Sequence, residues 1–327
     1  MEISDKYMRR ALYLARLGEG HVSPNPMVGC VITAPDGKII GEGWHRQFGG
    51  PHAEVNAIDS VTDKNILKHA TMYVTLEPCS HHGKTPPCAD LIVRMGIPRV
   101  VIGSKDPFPE VSGRGIARLQ EVGTEVHTGC LESECVELNR RFMTAHKTGR
   151  PYVTLKWAQD AAGNMGSTSG KRIFFSNTLS MAYVHRLRSC YDAIMVGKGT
   201  LLADNPKLDV RLWHGKNPRP VIFANTELDG KFNLTSNPEC IKYSIPISLN
   251  EILRDLYKSK GVTSLLVEGG KKLLESFIAD ELWDEMRTET YPSLTEADLP
   301  APHVAGYLLK SANTRGNTIS ILRRIEK

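Results

Sequence analysis

Hydrophobic and polar positions along the first half of the chain alternate between a helical and a strand period. Residues 4–18 carry apolar side chains at helical spacing, with Ser4 or Asp5 as the N-cap, and predict an amphipathic helix. Residues 28–32 form an apolar run that predicts a buried strand, and Asp36-Gly37 predicts a hairpin turn. The same reasoning predicts helices over residues 53–60 and 88–95, and strands over residues 72–76 and 99–103. Strands that alternate with helices indicate an α/β layer.

The alternation of predicted strands and helices is interrupted by a polar segment with Gly and Pro around residues 146–151. We interpret this segment as a domain boundary. A second alternating set predicts a helix over residues 178–188 and strands over residues 152–157, 193–197, 221–224 and 264–267. Because 327 residues exceed one ordinary core, two domains are expected. We predict a first α/β domain over residues 1–146 and a second over residues 150–327.

Composition is that of an ordinary globular protein. Hydrophobic residues make up 41% and charged residues 24% of the chain, and no apolar run approaches the roughly 18 residues that span a bilayer. The first residues lack the charged and then apolar pattern of a signal peptide. Seven scattered cysteines do not indicate a disulfide framework. We therefore expect a cytoplasmic protein with reduced thiols and no membrane partner.

The formal net charge of +5 is modest for a chain of this length. Basic residues are dispersed, without a long Lys/Arg tract or a series of aromatic residues on which single-stranded nucleic acid could stack. An ordinary solvated surface accounts for this charge, and we expect no nucleic-acid partner.

The residues with the clearest chemical significance lie between positions 52 and 88. His52, Cys79 and Cys88 are the nitrogen and sulfur ligands that tetrahedral zinc prefers, and three ligands leave a fourth position for water. Glu54 could reach that water without binding the metal. Zinc deaminases use this combination, in which the metal activates water and a glutamate transfers protons. The pattern predicts an enzyme.

A purely structural role for these residues is also open. A histidine and a glutamate two residues apart are common on helix surfaces, and cysteines are often buried packing residues. The metal could also be structural, with His81 or His82 as a fourth ligand. Glu54 and Pro78, which directly precedes Cys79, both fit the catalytic pattern. The sequence therefore favours a catalytic zinc.

In the second half, glycines directly follow two of the predicted strands. They are Gly197 and Gly199 after one strand, and Gly269 and Gly270 after another. Such loops let backbone amides approach a phosphate or a dinucleotide. Glycine also closes ordinary tight turns, so this signal is weak. No G-x-G-x-x-G with a downstream acidic residue is present, and a Rossmann fingerprint is not supported.

Longer motifs of the first half resemble one family. They are Pro24-Asn25-Pro26-Met27-Val28-Gly29-Cys30, Gly43-Trp44-His45, Gly50-Pro51-His52-Ala53-Glu54, and the segment from Glu77-Pro78-Cys79 to Pro86-Pro87-Cys88. Together they resemble the bifunctional riboflavin-biosynthesis deaminase/reductases. Eight residues separate the two zinc cysteines, as in this family, whereas generic cytidine-type deaminases have two.

Motifs of the second half extend this resemblance to about residues 4–290. They are Leu155-Lys156-Trp157-Ala158, Asp192-Ala193-Ile194-Met195-Val196-Gly197, Gly199-Thr200-Leu201-Leu202-Ala203-Asp204-Asn205-Pro206, and Val267-Glu268-Gly269-Gly270. The resemblance implies an α/β fold in both halves: a cytidine-deaminase-like three-layer domain and then a dihydrofolate-reductase-like domain. The latter fold explains the missing Rossmann fingerprint.

The resemblance also implies two consecutive reactions on one small phosphorylated pyrimidine, a diaminopyrimidinone bearing a ribosylamino 5'-phosphate. The first domain, with one Zn2+ ion, removes the 2-amino group by hydrolysis. The second domain uses NADPH to reduce the ribosyl chain to a ribityl chain. Relatives form dimers or tetramers through the reductase half, and a homodimer or homotetramer is expected here.

Residue roles follow from the matching motif positions. In the deaminase half the resemblance assigns zinc binding to His52, Cys79 and Cys88, proton transfer to Glu54, and substrate contacts to Asn25, His45, His81, Lys84 and Asp106. In the reductase half it assigns cofactor contacts to Ala158, Phe174, Thr200, Asp204 and Gly270, and substrate contacts to Arg188, Leu208, Arg211 and Glu268. Arginine suits the substrate phosphate because its planar fork can bind two oxygens.

The chain departs from the family pattern at a few positions. Phe108 stands where the family often has asparagine, and Phe174 replaces a tryptophan against the cofactor. Residues 160–163 read Asp-Ala-Ala-Gly in place of Ser-Leu-Asp-Gly, and residues 291–303 are rich in proline and acidic residues. Two alternative functions stay open. One is a deaminase whose reductase-like domain has lost activity, and the other is a nucleic-acid base deaminase. The second lacks the basic groove or stacking aromatics that it would need.

Overall fold

The computed structural model describes residues 4–80, 86–108, 112–169, 171, 173–223, 232–244, 246–304, 306–314 and 316–324. The chain divides into two compact units, unit 1 over Met1–Thr148 and unit 2 over Gly149–Lys327. His81 and Lys84, two of the predicted substrate residues, lie outside the described residues.

Unit 1 alternates strands and helices in chain order. Its helices are α1 (Asp5–Arg16), α2 (Ala53–Ser60), α3 (Cys88–Met95), α4 (Arg114–Gln120), α5 (Glu132–Leu138) and α6 (Arg140–Thr148), with a short 3-10 helix at Lys64–His69. Its strands are β1 (Gly29–Thr33), β2 (Ile39–Trp44), β3 (Thr71–Leu76), β4 (Arg99–Ser104) and β5 (Glu125–Thr128). The helices predicted over residues 53–60 and 88–95 are confirmed at both ends.

The five strands form one sheet in the order β2-β1-β3-β4-β5. Strand β1 is antiparallel to β2 and β3, while β3, β4 and β5 run parallel. Leu76 pairs with Ser104, so the carboxyl ends of β3 and β4 meet at the same edge of the sheet. The segments that begin at Glu77 and Lys105 therefore start side by side.

Alternation of side chains along the strands builds three layers in unit 1. Val31, Tyr73 and Val101 point to one face and pack with α1 residues such as Met8 and Leu12. Their neighbours on the strands point to the other face and pack with α2, α3 and α4; they include Cys30, Ile32, Met72, Val74, Val100 and Ile102. The predicted three-layer α/β architecture is confirmed.

Gly29 sets how closely α1 approaches this sheet. A Cβ atom at Gly29 would lie 2.0 Å from the backbone oxygen of Ala11, a distance that no side chain tolerates. Overpacking of this kind costs about 1–3 kcal/mol or forces the helix away. The glycine of the Val28-Gly29-Cys30 motif therefore serves helix packing.

Unit 2 repeats the alternation with a longer sheet. Its helices are α7 (Thr178–Ser189), α8 (Lys198–Asp204), α9 (Leu249–Lys258) and α10 (Lys271–Ala279). Its strands are β6 (Tyr152–Gln159), β7 (Asn164–Gly166), β8 (Ala193–Gly197), β9 (Arg219–Phe223), β10 (Ile241–Tyr243), β11 (Ser264–Glu268), β12 (Glu285–Thr290), β13 (Leu299–Pro300), β14 (Tyr307–Thr314) and β15 (Asn317–Arg323).

The main sheet of unit 2 has eight strands in the order β10-β9-β8-β11-β6-β12-β15-β14. Its strands run parallel as far as β12, and β15 and β14 extend it as an antiparallel hairpin. Val153 and Leu265 pack on one face with α9 and α10, while Ile194 and Leu266 pack on the other with Leu201 of α8. A pair of short strands, β7 and β13, lies outside this sheet.

The carboxyl ends of the parallel strands bring the second-half motifs together. Glu268 pairs with Lys156 across β11 and β6, and β8 pairs with β11 on the other side. Ala158, Gly197 and Gly269 therefore lie at or beside the carboxyl ends of three neighbouring strands, at one edge of the sheet. Ligands of open α/β sheets bind at this edge.

Among the described residues, no helix combines the length and the apolar character that a membrane crossing requires.

Candidate functional site

Three elements of unit 1 bring His52, Cys79 and Cys88 together. His52 directly precedes α2, Cys79 follows β3, and Cys88 is the first residue of α3. Their ligand atoms all lie within 4.8 Å of one another. The Nδ1 atom of His52 is 3.6 Å from Sγ of Cys79 and 3.3 Å from Sγ of Cys88. One nitrogen and two sulfurs at such distances form a donor set that fits zinc.

The electrostatic surroundings of His52, Cys79 and Cys88 favour the binding of a cation. Hydrogen bonding from the Cys88 thiol, together with His52, lowers the pKa of the Cys79 thiol to about 4 despite its burial. The backbone N–H of Cys88 also donates to Sγ of Cys79, at 3.3 Å. The resulting thiolate in turn raises the pKa of Cys88, and burial adds to that effect. Of the two thiols, that of Cys79 therefore loses its proton more readily, and the thiolate is the form that binds zinc.

Glu54 lies in the first turn of α2, next to this cluster. It is 3% exposed. Burial, and secondarily the charge of Cys79, raises the pKa of its carboxyl group to about 7. A carboxyl group with a pKa near the working pH can both accept and donate a proton, as general acid/base catalysis requires.

Asn25 and His45 form a polar pair beside the cluster. His45 Nδ1 is 3.0 Å from the carbonyl oxygen of Pro51, and its Nε2 is 3.2 Å from Nδ2 of Asn25. Because the carbonyl only accepts, Nδ1 donates to it and Nε2 accepts from the Asn25 amide. Burial lowers the pKa of His45 and keeps the ring neutral. The rings of His45 and His52 stand 5.5 Å apart, which places this pair next to the predicted metal ligands.

Asp106 begins the loop that follows β4. Its Oδ1 atom accepts from the backbone N–H of Phe108 at 2.9 Å, so the side chain shapes its own loop. The rings of Phe108 and His146 stand nearly perpendicular, with centroids 5.7 Å apart, and His146 also packs on Phe142. The residue in place of the family asparagine thus makes an aromatic contact with α6.

Sequence reasoning missed Glu77, which directly precedes Pro78 and Cys79. Its carboxylate is buried and accepts four backbone N–H groups, from Asp106, Gly113, Gly115 and Ile116. The only signal in the sequence was an acidic residue directly after a predicted buried strand.

A cavity of about 960 Å³ opens in unit 2 at the carboxyl edge of the parallel strands. Seven of the predicted reductase residues line it: Ala158, Phe174, Arg188, Thr200, Asp204, Arg211 and Gly270. Leu208 is not among the described lining residues, because its side chain is buried in the apolar cluster with Ile194 and Leu201. Glu268 does not line it either and contacts Arg188 instead.

Arg188 and Glu268 were both predicted to contact substrate, and the structure pairs them with each other. Arg188 Nε and Nη2 donate to the two carboxylate oxygens of Glu268, and Nη1 donates to the backbone oxygen of Asp209. Burial alone would raise the pKa of Glu268, but the charges of Arg188 and Lys156 outweigh it and hold the pKa at about 2. The planar fork of Arg188 is thus already engaged. Arg211, which is paired with Asp209, is more exposed.

The cavity residues that were not predicted include Lys156 and His185. Lys156 lies opposite Glu268 in the β6–β11 pair. His185 is 4% exposed, and its Nδ1 atom is buried without a hydrogen-bond partner among the described residues. Burial, together with the nearby arginines, lowers the pKa of His185 and so favours its neutral form. Lys156 lies within the motif of residues 155–158 and His185 within the predicted helix over residues 178–188, and neither carries a spacing signature of its own.

Glycines bring two backbone segments together at the cavity. Gly269 and Gly270 have φ angles of 92° and 69°, which favour glycine, and a Cβ atom at either position would come within 3.3 Å of Thr200 Oγ1. Lysines line the same cavity at positions 156, 171, 198, 271 and 272. A large cavity with close backbone approach and several cations fits an anionic dinucleotide such as NADPH.

Phe174 is 69% exposed at the cavity, so a flat ligand ring can reach it. Its neighbours are fixed by the C-terminal strands. Asn317 Nδ2 donates to the backbone oxygen of Phe175 at 3.0 Å and to Oε1 of Glu289 at 2.6 Å. Ser176 Oγ donates to Oε2 of Glu289 at 3.3 Å.

Comparison with known proteins supports both units. Residues 1–104 match the family model of the cytidine and deoxycytidylate deaminase zinc-binding region, and residues 151–298 match that of the RibD C-terminal domain. The riboflavin biosynthesis protein RibD of Actinobacillus pleuropneumoniae is 40% identical over 308 residues, which cover 84% of this chain and 81% of that protein. RibD of Aquifex aeolicus is 38% identical over 309 residues, covering 87% and 86%.

Solved structures give the same result. Acinetobacter baumannii RibD superposes with a TM-score of 0.92 at 31% identity, over 98% of this chain and 99% of that chain. The diaminohydroxyphosphoribosylaminopyrimidine deaminase/5-amino-6-(5-phosphoribosylamino)uracil reductase of Thermotoga maritima gives a TM-score of 0.89 at 36% identity, over 98% of both chains. The predicted deaminase-like and reductase-like folds are confirmed.

Proposed function

This chain belongs to the family of bifunctional riboflavin-biosynthesis deaminase/reductases, and from that membership we propose how its two units divide the work. The enzyme is a zinc-dependent deaminase and an NADPH-dependent reductase. Its substrate is a diaminopyrimidinone bearing a ribosylamino 5'-phosphate. Residues 1–146 deaminate the pyrimidine, and residues 150–327 then reduce the ribosyl chain to a ribityl chain. The convergence of His52, Cys79 and Cys88 beside Glu54 is the observation that carries this proposal.

In the deaminase, His52, Cys79 and Cys88 hold the metal, and Glu54 moves the protons. Bound zinc supplies the Lewis acidity that makes water a nucleophile at neutral pH. Glu54, with its pKa near 7, takes a proton from the attacking water and returns one to the departing amine. Because Glu54 is buried, bulk water does not compete for these protons.

Around this centre, Asn25, His45 and Asp106 orient the substrate together with His81 and Lys84. Asn25 and His45 support one another through the hydrogen bond between Nδ2 and Nε2. A neutral, fixed imidazole beside an amide suits an uncharged heterocycle with donors and acceptors along its edge. Lys84 supplies a positive charge for the phosphate.

In the reductase, Ala158, Phe174, Thr200, Asp204 and Gly270 hold the cofactor, and Arg188, Leu208, Arg211 and Glu268 position the substrate. NADPH supplies the reducing equivalents. The Arg188–Glu268 pair fixes a carboxylate at the end of β11, next to the cavity. Arg211 is the more accessible arginine, and we assign it to the substrate phosphate. Leu208 acts from within the core by shaping the backbone next to Asp209 and Arg211.

The proposal also includes the cellular compartment and the oligomeric state of the enzyme. The enzyme works in the cytoplasm, where reduced thiols keep Cys79 and Cys88 available to zinc. It forms a homodimer or homotetramer through the reductase half. Strand β14 supports this because it is the outermost strand of the main sheet and exposes Tyr307, Leu308 and Leu309. Leu308→Lys should shift the protein towards monomer in light scattering, while Leu294→Lys, at an exposed residue outside β14, should not.

A two-stage assay on the purified protein tests the function. The diaminopyrimidinone ribosyl phosphate is added first, and ammonia release is followed. NADPH is added next, and its absorbance loss is followed. We expect both signals in sequence, with NADPH oxidation dependent on prior deamination. Ammonia release without NADPH oxidation would refute the second activity, and the absence of both would refute the proposal as a whole.

A further inference from the structure

Glu77 links the turn that carries Cys79 to a loop more than twenty residues further along the chain. The residue directly follows β3 and is 4% exposed, so its carboxylate lies inside unit 1. Its backbone N–H donates to the carbonyl oxygen of Ser104 at 2.9 Å, which extends the β3–β4 pairing by one residue. Its side chain then reaches across the carboxyl edge of the sheet.

The carboxylate bonds to both ends of one loop. Oε2 accepts from the backbone N–H of Asp106 at 3.3 Å, where the loop leaves β4, and from that of Gly113 at 3.0 Å. Oε1 accepts from Gly115 at 3.0 Å and from Ile116 at 3.4 Å, where the loop enters α4. A buried carboxylate is stable when several N–H groups satisfy its oxygens. Glu77 therefore fixes the loop at entry and at exit.

The returning part of this loop also packs on the turn before the metal ligand. A Cβ atom at Gly115 would lie 2.0 Å from the carbonyl oxygen of Pro78, the residue that precedes Cys79. Gly113 has a φ of 82°, so its N–H reaches Oε2 from a left-handed conformation. The loop that begins with Asp106 and the turn that carries Cys79 thus form one connected unit.

We propose that Glu77 is a positioning residue of the deamination: its carboxylate holds the loop of Asp106 at a fixed place beside Cys79, so that the substrate pocket is formed before substrate binds. This inference rests on the proposed deaminase function. Glu77 touches neither metal nor substrate. Its effect is on substrate affinity, because a loosened loop must be ordered again each time the substrate binds.

Glu77→Gln is the direct test, because it keeps the shape of the side chain but turns an NH2 group towards backbone N–H donors. Gly113→Ala strains the same loop through its positive φ without altering Glu77. If Glu77→Gln does not fold, Gly113→Ala is used as the test variant. Glu42→Gln is the matched control, since this carboxylate of unit 1 pairs with Arg10 at the surface.

Zinc content, deamination kinetics and amide hydrogen exchange are measured on the full-length variants. We expect KM for the pyrimidine substrate to rise about ten- to hundredfold, because buried N–H groups of the loop lose their acceptor, with kcat within about twofold. Zinc should stay at one per chain, and NADPH oxidation with the deaminated substrate should match the wild type. Amides 106–108 and 112–116 should exchange about tenfold faster, while β3 remains protected.

Three results would overturn the inference: unchanged exchange over these amides, faster exchange with an unchanged KM, or loss of zinc together with activity. The last would place the role of Glu77 in the metal site. A wild-type protein that releases no ammonia would refute the proposed function instead. In that case amide hydrogen exchange, which does not require enzyme activity, would still show whether Glu77 holds the loop.

Discussion

Arg188 and Glu268 form a two-point ion pair, with Nε 3.0 Å from Oε1 and Nη2 2.8 Å from Oε2. Only 13% and 11% of the two side chains are exposed. Eighty residues separate them in sequence, and the pair joins the end of α7 to the end of β11. A carboxylate is thereby kept charged in a buried place where it would otherwise bind a proton.

This ion pair should give unit 2 an acid-sensitive part of its stability. The pKa of Glu268 is held at about 2, below the ordinary 4.5. Because the pKa of Glu268 is lower in the folded protein than the unfolded value of 4.5, its ionised carboxylate stabilises the fold above about pH 4.5. That contribution is lost as the pH falls towards 2. The shift corresponds to about 3 kcal/mol.

Urea unfolding followed by tryptophan fluorescence checks this expectation. Glu268→Gln should lower the free energy of unfolding by about 3 kcal/mol at pH 7, and the difference from wild type should narrow below about pH 4. Glu239→Gln, at an exposed acidic residue of unit 2, should behave like the wild type throughout. If the difference in free energy of unfolding between wild type and Glu268→Gln stays constant with pH, the ion pair does not set the pKa of Glu268.

Glu54→Gln should abolish deamination without emptying the metal site. Gln cannot transfer protons, and general acid/base catalysis is worth about 10²–10⁴-fold in rate. Ammonia release should fall by that factor, while zinc content by elemental analysis stays unchanged. NADPH oxidation with the deaminated substrate serves as the internal control. Near-normal ammonia release from a zinc-loaded variant would contradict the role of Glu54.

Metal removal should separate the two activities. A strong chelator should stop ammonia release, and added zinc should restore it, because water needs the metal to become a nucleophile at neutral pH. Reduction of the deaminated substrate should continue in the chelated protein, since the cavity of unit 2 contains none of His52, Cys79 and Cys88. A reductase that fails in parallel with the deaminase would argue against independent sites.

Phe174→Ala should weaken NADPH binding. An aromatic stacking contact is worth about 1 kcal/mol, so KM for NADPH should rise about fivefold while ammonia release is unaffected. Phe174→Trp, which introduces the family residue, should match or improve on the wild type. Phe48→Ala, at an exposed phenylalanine of unit 1, is the matched control. An unchanged KM in Phe174→Ala would exclude a stacking role for this ring.

The metal centre could be predicted because its signal is local. His52, Cys79 and Cys88 each stand at the beginning of a helix or the end of a strand, and periodicity locates those boundaries closely. The alternating apolar runs likewise predicted the parallel core strands of both units. At these places, local pattern and three-dimensional structure agree.

Some features depend on contacts that leave no local trace. The partners of Glu77 are backbone N–H groups 29 to 39 residues away, and any residue type can supply them. The pairing of Arg188 with Glu268 depends on how α7 crosses the sheet. No strand was predicted after residue 290, because β14 is exposed along nearly its whole length and is held by its partner β15.

Strand β15 (Asn317–Arg323) contacts residues beside the reductase cavity although it does not line that cavity. The described lining of the cavity ends at Leu299, yet Asn317 holds Phe175 and Glu289 next to Phe174. Proteolytic trimming of the tail before residue 317 would leave every described lining residue in the polypeptide and still release the ring expected to contact the nicotinamide cofactor. We expect such a clipped enzyme to produce ammonia but to accumulate the unreduced intermediate, so the contacts that Asn317 makes from β15 are a condition for completing the second step.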